Sequence, residues 1–304
     1  MTHLLGGNYY DFFSRRTTIK APTFEWDKNY LMRFKNSLDS YTYENNNLTI
    51  VYFKEGHGGF ELENRYLPVD HGSFVITNPG KGWNYMNERK KRIDVLSIIV
   101  SQALLSQFYT FHTKCDEFLI DYPNEVLDKE YFFMEMPLRA KHYTSGCVLE
   151  SLHRKTSYHK LDHLDMEEIV IEVLFSLQQN QLTAYKLAKR IKSKKHSTKI
   201  EVFKRLLLSR EYIHDNLNRP IPMDELANIS CLPKFHLYDS FKRVFGQTPH
   251  QYANTIKLMK SKELLASGEY MVNEVSDLLG FNDIQCFSKL FKKHYKISPS
   301  QFKA

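Results

Sequence analysis

Phe241-Lys-Arg-Val-Phe-Gly-Gln-Thr-Pro-His-Gln-Tyr252 returns fifty residues later as Phe291-Lys-Lys-His-Tyr-Lys-Ile-Ser-Pro-Ser-Gln-Phe302. Phe, Lys, a second basic residue, an aromatic, Pro, Gln and a closing aromatic keep their places. A weaker match precedes each copy: Glu225-Leu-Ala-Asn-Ile-Ser-Cys-Leu232 against Glu274-Val-Ser-Asp-Leu-Leu-Gly-Phe281, offset by forty-nine. The one-residue slip falls between Leu232 and Leu237, where a turn absorbs it. The repeated unit therefore reads as helix, turn, basic helix, and two copies imply two similar surfaces for two similar targets.

Charge follows the repeat. Residues 192–304 hold 19 Lys and Arg against 11 Asp and Glu, whereas residues 1–191 hold 23 against 24. A basic duplicated third beside a near-neutral remainder is the electrostatic footprint of a nucleic-acid-binding domain. No apolar run approaches the roughly 20 residues of a membrane span. The first residues lack the basic and apolar regions of a signal peptide. Cys115, Cys147, Cys231 and Cys286 lie far apart, with no C-x-x-C pairing. The expectation is a cytoplasmic protein without a disulfide framework or structural zinc.

Each part of the repeat can be placed on an element. Asp224-Glu-Leu-Ala227 opens the first short helix, Pro233 precedes the second, and Lys234 to Phe245 is that second helix, ended by Gly246. Ile256 to Leu265 connects the copies. In copy two, Val272 to Leu279 and Asp283 to Tyr295 are the helices, with Gly280 in the turn and Asn282 or Asp283 as N-cap. Leu237, Phe241 and Phe245 recur at i, i+4, i+8, as do Phe287, Phe291 and Tyr295, so these belong to the core. The outer face carries Lys234, Phe235, Tyr238, Asp239 and Lys242 in copy one. In copy two it carries Ile284, Gln285, Ser288, Lys289 and Lys292. An α-helix fits the major groove and reads bases near its N-terminus: Gln pairs with adenine, apolar side chains meet the thymine methyl, and Lys reaches guanine or phosphate. Asp239 is the exception. A carboxylate there is repelled by phosphate unless it accepts from cytosine N4 or a neighbour such as Arg243, four residues on, holds it.

The N-terminal 145 residues read differently. Tyr30–Phe34, Leu48–Phe53, Gly59–Glu63, Ser73–Thr77 and Ile93–Val100 are short, rich in β-branched and aromatic residues, and separated by turn signals such as Asn78-Pro-Gly-Lys-Gly82. An antiparallel barrel or sandwich is expected. Residues 146–191 turn helical. Leu164 to Leu177 forms a helix apolar nearly all round, covered by its own domain or by a second subunit, and Leu182 to Ile191 a short amphipathic one. The polar, basic stretch 192–199 reads as a linker, and 200–304 as the all-α domain.

Glu225-Leu-Ala227, His236-Leu237, Phe241-Lys-Arg243, Gly246, Pro249, Tyr252, Lys257-Leu258, Leu264-Leu265, Gly280-Phe281, Phe287-Ser-Lys289, Phe291-Lys-Lys293 and Ser298-Pro299 together resemble the C-terminal signature of the AraC/XylS family of bacterial transcription regulators. The resemblance covers about 100 residues. Cys231 stands for the usual first-turn Gly, Lys257 and Ser261 for the usual Arg and Ala of the connecting helix, and Ser276 for Ala. The resemblance implies two homeodomain-like helix-turn-helix units, roughly one DNA turn apart on one monomer. It implies a regulator, most often an activator, that binds double-stranded DNA and touches RNA polymerase; the apolar helix adds the expectation of a homodimer. It also implies a cupin-like N-terminal sensor for a small molecule, to which Gly72-Ser-Phe-Val-Ile-Thr-Asn-Pro-Gly80 is similar. Arg33, Tyr52, His57, Trp83 and Tyr85 are the candidates to line its pocket. A metal cupin needs a His-x-His pair and further ligands; here His57 is alone, His71 sits in a turn, and Trp83-Asn84 brings no His. No metal, cofactor or catalytic residue is expected. The competing readings are an architectural DNA-binding protein with a purely structural β domain, and a cupin enzyme tethered to DNA.

Overall fold

Alternating and continuously apolar strands fold the first half into two sheets. The computed structural model describes residues 2–5, 9–12, 27–37, 39–44, 47–62, 65–87, 91–113, 133–157 and 166–303. They divide into two compact units, Met1–Thr183 and Ala184–Ala304.

In the first unit the strands are β1 (Thr2–Leu5), β2 (Tyr9–Phe12), β3 (Tyr30–Ser37), β4 (Ser40–Tyr43), β5 (Leu48–Glu55), β6 (Gly58–Leu62), β7 (Arg65–Val69), β8 (Ser73–Thr77), β9 (Trp83–Met86), β10 (Arg92–Val100) and β11 (Leu138–Arg139). One sheet runs β1-β2-β3-β10-β5-β8-β11 and the other β4-β9-β6-β7. Every pairing is antiparallel except β2 with β3. All five strands expected from the sequence are present, although Glu63, the end of one, lies outside the described residues. Strand alternation sorts the side chains. Tyr30, Met32, Val51, Phe53, Val75 and Val95 of the larger sheet meet Phe60, Leu62, Trp83 and Tyr85 of the smaller one in a single core. The opposite face of the larger sheet, with Leu31, Ile50, Tyr52, Phe74, Leu96 and Ile98, is buried too, and there α2 (Thr144–Ser157) packs on β5. A sheet covered on both faces explains why β5 and β8 read as unbroken apolar runs.

Three expectations change. Residues 102–113 form a helix, α1, inside the stretch read as strands; its apolar residues recur at helical spacing, and Leu104, Leu105 and Phe108 are buried. The two helices read at 164–177 and 182–191 are one, α3 (Met166–Ala188), since nothing between them breaks a helix. Its Ile169, Val170, Val173, Leu174 and Leu177 are buried while Phe175 and Leu182 are exposed, so it is apolar all round but covered on one side. Finally, helix α4 (His196–Asp215) begins inside the stretch read as a linker. Polarity without Pro or Gly does not stop a helix, and burial of Val202 and Phe203 holds its first turns in place. The non-helical stretch is 189–195, whereas the boundary between the compact units falls at Thr183/Ala184, within α3.

The second unit continues with α5 (Met223–Ser230), α6 (Lys234–Phe245), α7 (Pro249–Ala266), α8 (Val272–Leu278), α9 (Ile284–Tyr295) and α10 (Pro299–Lys303). The sequence repeat is a repeat of scaffold. Leu232 N–H donates to the Ala227 carbonyl at 3.1 Å, and Phe281 N–H to the Ser276 carbonyl at 3.1 Å, around left-handed Cys231 and Gly280. Gly246 and Lys296 are the left-handed residues after the second helices, each donating 2.9 Å to the carbonyl four residues back. Thr248 and Gln251 form a reciprocal capping box with Pro249 at the first helical position. Ser298 and Gln301 repeat the two hydrogen bonds, at 3.3 and 3.2 Å, around Pro299. Phe241 meets Tyr252 at 5.6 Å, and Phe291 meets Phe302 at 5.8 Å. The repeated turn, cap and aromatic residues thus have the same geometric task in both copies.

Candidate nucleic-acid interface

The apolar stripes of α6 and α9 decide which faces stay outside. Leu237 and Phe241 are fully buried in copy one, and Phe287 and Phe291 in copy two. Phe245 and Tyr295 are partly covered, the latter donating from its hydroxyl to the Leu258 carbonyl at 3.2 Å. With those faces committed, the candidates turn outward. Phe235 is 84% exposed, Tyr238 46% and Ile284 44%. Lys234, Lys242, Gln285, Lys289 and Lys292 are exposed, and Asp239 and Ser288 are partly so.

Electrostatically the two faces are unlike. In α6, Arg243 donates to Asp239 at 2.7 Å, the i, i+4 pair anticipated from the sequence. Arg243 holds the Asp239 carboxyl below its ordinary pKa, mainly through this hydrogen bond. Lys234 pairs with Asp224 of α5. Of the two candidate lysines of α6, Lys242 alone has no ion pair among the described residues. In α9, Lys289 and Lys292 have none, nor does Lys293, which the sequence reading assigned no role. Lys293 and His236 are both exposed. Residue type and position flagged them, but a strict core-and-opposite-face division of the helix wheel passed over its flanks.

Neighbouring residues fix the helices. Asp283 caps α9 by accepting from Cys286 N–H at 2.6 Å. At the start of α5, Glu225 accepts from Arg219 at 2.5 and 2.9 Å and from the Tyr212 hydroxyl. Arg219 first, and Tyr212 second, lower its pKa to about 2. Its copy-two equivalent, Glu274, caps α8 by accepting from Met271 N–H at 2.6 Å.

The five candidate pocket residues of the β unit do not share one space. Trp83 and Tyr85 lie in the core between the sheets, Trp83 stacked on Phe60 at 4.7 Å. Arg33 and Tyr52 lie on the other face of the larger sheet. There Arg33 clasps Asp94 at 3.0 and 2.8 Å, and His153 of α2 sits 2.8 Å from the same carboxylate. Burial pushes the Asp94 pKa up, but the hydrogen bonds from His153 and Arg33 outweigh it and hold it far below the carboxylate range. Tyr52 meets the His153 ring edge-on at 5.9 Å. His57 pairs with Asp70 and is partly exposed. Strand parity explains the split: residues 33 and 52 point away from the side to which 83 and 85 belong, a register that needs the pairing partners to be known. Among the described residues no three His, Cys, Asp or Glu side chains are grouped to hold a metal ion. No described helix is long and apolar enough to cross a membrane.

Two helix-turn-helix units joined by one long helix, each presenting an exposed second helix, define a DNA-binding domain of the double helix-turn-helix class. Residues 226–304 match the family described as helix-turn-helix domain. Over 97 residues the chain is 32% identical to a probable transcriptional regulator, LumQ, of Photobacterium leiognathi, an alignment covering 32% of this chain and 39% of that one. Over 93 residues it is 29% identical to the lactose operon transcription activator of Staphylococcus xylosus, covering 31% and 33%. The chain thus spans well under half the length of these relatives. The solved structure of ToxT from Vibrio cholerae aligns over 91% of this chain and 97% of that one at 13% identity, with a TM-score of 0.33.

Proposed function

We propose that the chain is a sequence-specific transcription regulator of the AraC/XylS type, most simply an activator, acting in the cytoplasm and without enzymatic activity. The observation that carries this reading is the pair of exposed helices α6 and α9, built on matched scaffolds at the two ends of α7. Each enters the major groove of one of two adjacent half-sites. Phe235, Tyr238, Ile284 and Gln285 face base edges, while Lys234, Lys242, Ser288, Lys289 and Lys292 take base edges or phosphates. Asp239 stays neutralised by Arg243.

The β unit serves as a sensor for a small molecule, and a second copy of the chain covers Phe175 and Leu182 of α3, which are exposed at 41% and 45%. RNA polymerase is the further partner. The test is capture of genomic fragments by the purified protein at near-physiological salt, with sequencing of what is bound. Two short boxes about one helical turn apart are expected; bound DNA with no shared motif would overturn the sequence-specific reading and favour an architectural role.

A further inference from the structure

A cleft of about 430 Å³ lies between the two helix-turn-helix units. Ile221 and Leu226 wall it on the side of copy one, Phe281 and Leu290 on the side of copy two, and Ala253 and Lys257 of α7 form its third wall. The lining is mainly apolar, and the volume falls in the roughly 300–1,000 Å³ range of small-molecule sites.

Lys257 makes this cleft unusual. It is 5% exposed. Its ammonium donates to the Gly280 carbonyl at 2.9 Å and the Arg219 carbonyl at 3.3 Å, and lies 5.3 Å from the centre of the Phe281 ring. Those carbonyls use two of its three N–H bonds. No carboxylate pairs with it among the described residues. A buried charge without a counter-ion is costly, and burial lowers the Lys257 pKa. An anion would remove that cost, and the apolar walls specify the rest of its structure.

We propose that the cleft binds a small apolar monoanion, an aryl- or alkylcarboxylate, with its carboxylate on Lys257 and its tail between Leu226 and Phe281. Because its walls come from both helix-turn-helix units and from the helix joining them, occupancy changes the angle between α6 and α9 and with it the affinity for DNA. This second step rests on the proposed DNA reading; the binding step does not.

The probe is 4-phenylbutyrate, titrated calorimetrically into the full chain without DNA, beside its neutral amide. One site per chain with submillimolar affinity is expected, and at least tenfold weaker binding of the amide. Ala253→Phe, which fills the cleft, and Lys257→Met, which removes the charge, should each weaken the carboxylate at least tenfold. Either variant suffices if the other does not fold. No binding, equal binding of the amide, or binding that survives the substitutions would overturn the site. Saturating 4-phenylbutyrate should then shift the affinity for a captured two-box fragment at least threefold; an unchanged affinity overturns the coupling. A chain that binds the carboxylate but no DNA fragment supports the site and overturns the DNA reading instead.

Discussion

The two helix-turn-helix copies share their scaffold and differ in what they present. Turn geometry, capping boxes and aromatic pairs are the same in both. The exposed helices are not: α6 offers aromatic surface with most of its charge neutralised internally, whereas α9 offers Ile284 and Gln285 with unpaired lysines behind them. The matched residues are those the fold requires, and the copies differ on the faces the fold leaves exposed. The copies also exchange their strained positions. Copy one has Cys231 where copy two has Gly280, and copy two has Lys296 where copy one has Gly246, all with positive φ.

The largest test of this comparison is Gly280→Ala. A Cβ there would lie 2.4 Å from the Asn218 carbonyl oxygen and 2.5 Å from Arg219 backbone atoms. We expect a loss of about 3 kcal/mol, with hydrogen exchange rising in α8 and α9 before α5 and α6; equal loosening of both copies would deny their independence. Gln285→Ala should cost about 2 kcal/mol on the preferred sequence and relax preference at one base pair. If all sequences weaken alike in a binding-site selection, Gln285 touches phosphate only.

Lys292→Ala should lower the slope of log affinity against log salt by about one, and an unchanged slope would remove Lys292 from the phosphate contacts. Cys231→Gly relieves the left-handed cost that copy one alone bears at its turn. Urea unfolding should show about 0.5–1 kcal/mol of added stability, and no gain would mean that the turn tolerates its Cβ. The smallest effect is expected from Asp239→Asn. Freed from its partner, Arg243 should strengthen DNA binding up to threefold and steepen the salt slope; titrations that overlay the parent would leave copy one's neutrality without consequence.

Legibility in the sequence followed the range of the interactions. The boundaries of α6 were readable to the residue, because Pro233, Gly246 and the i, i+4 aromatic stripe are local signals. The Asp239–Arg243 pair was readable for the same reason. The start of α4 was not, because residues 196–199 are polar and their helix is held by burial of Val202 and Phe203 further along. The single helix α3 was read as two, its polar segment around Gln178-Gln-Asn-Gln181 hiding the continuity. In the β unit five strands were visible, β3, β5, β6, β8 and β10, but not the shorter ones such as β4, β7 and β9, nor which strands pair. Arg33, Tyr52, Trp83 and Tyr85 were therefore grouped, although strand parity sends them to opposite faces of the larger sheet.

By itself the sequence determined the duplicated helix-turn-helix, its buried and exposed helix faces, and the β character of the first half. The helix faces and the strands follow from periodicity and turn chemistry within a dozen residues, and the duplication from a match at an offset of fifty. The tertiary structure alone decided which strands pair, that Asp94 gathers Arg33 and His153 beneath α2, and that Lys257 is buried at a cleft between the two units. The Lys257–Gly280 and Arg33–Asp94 contacts join residues 23 and 61 positions apart, and no local pattern records a contact that only folding creates.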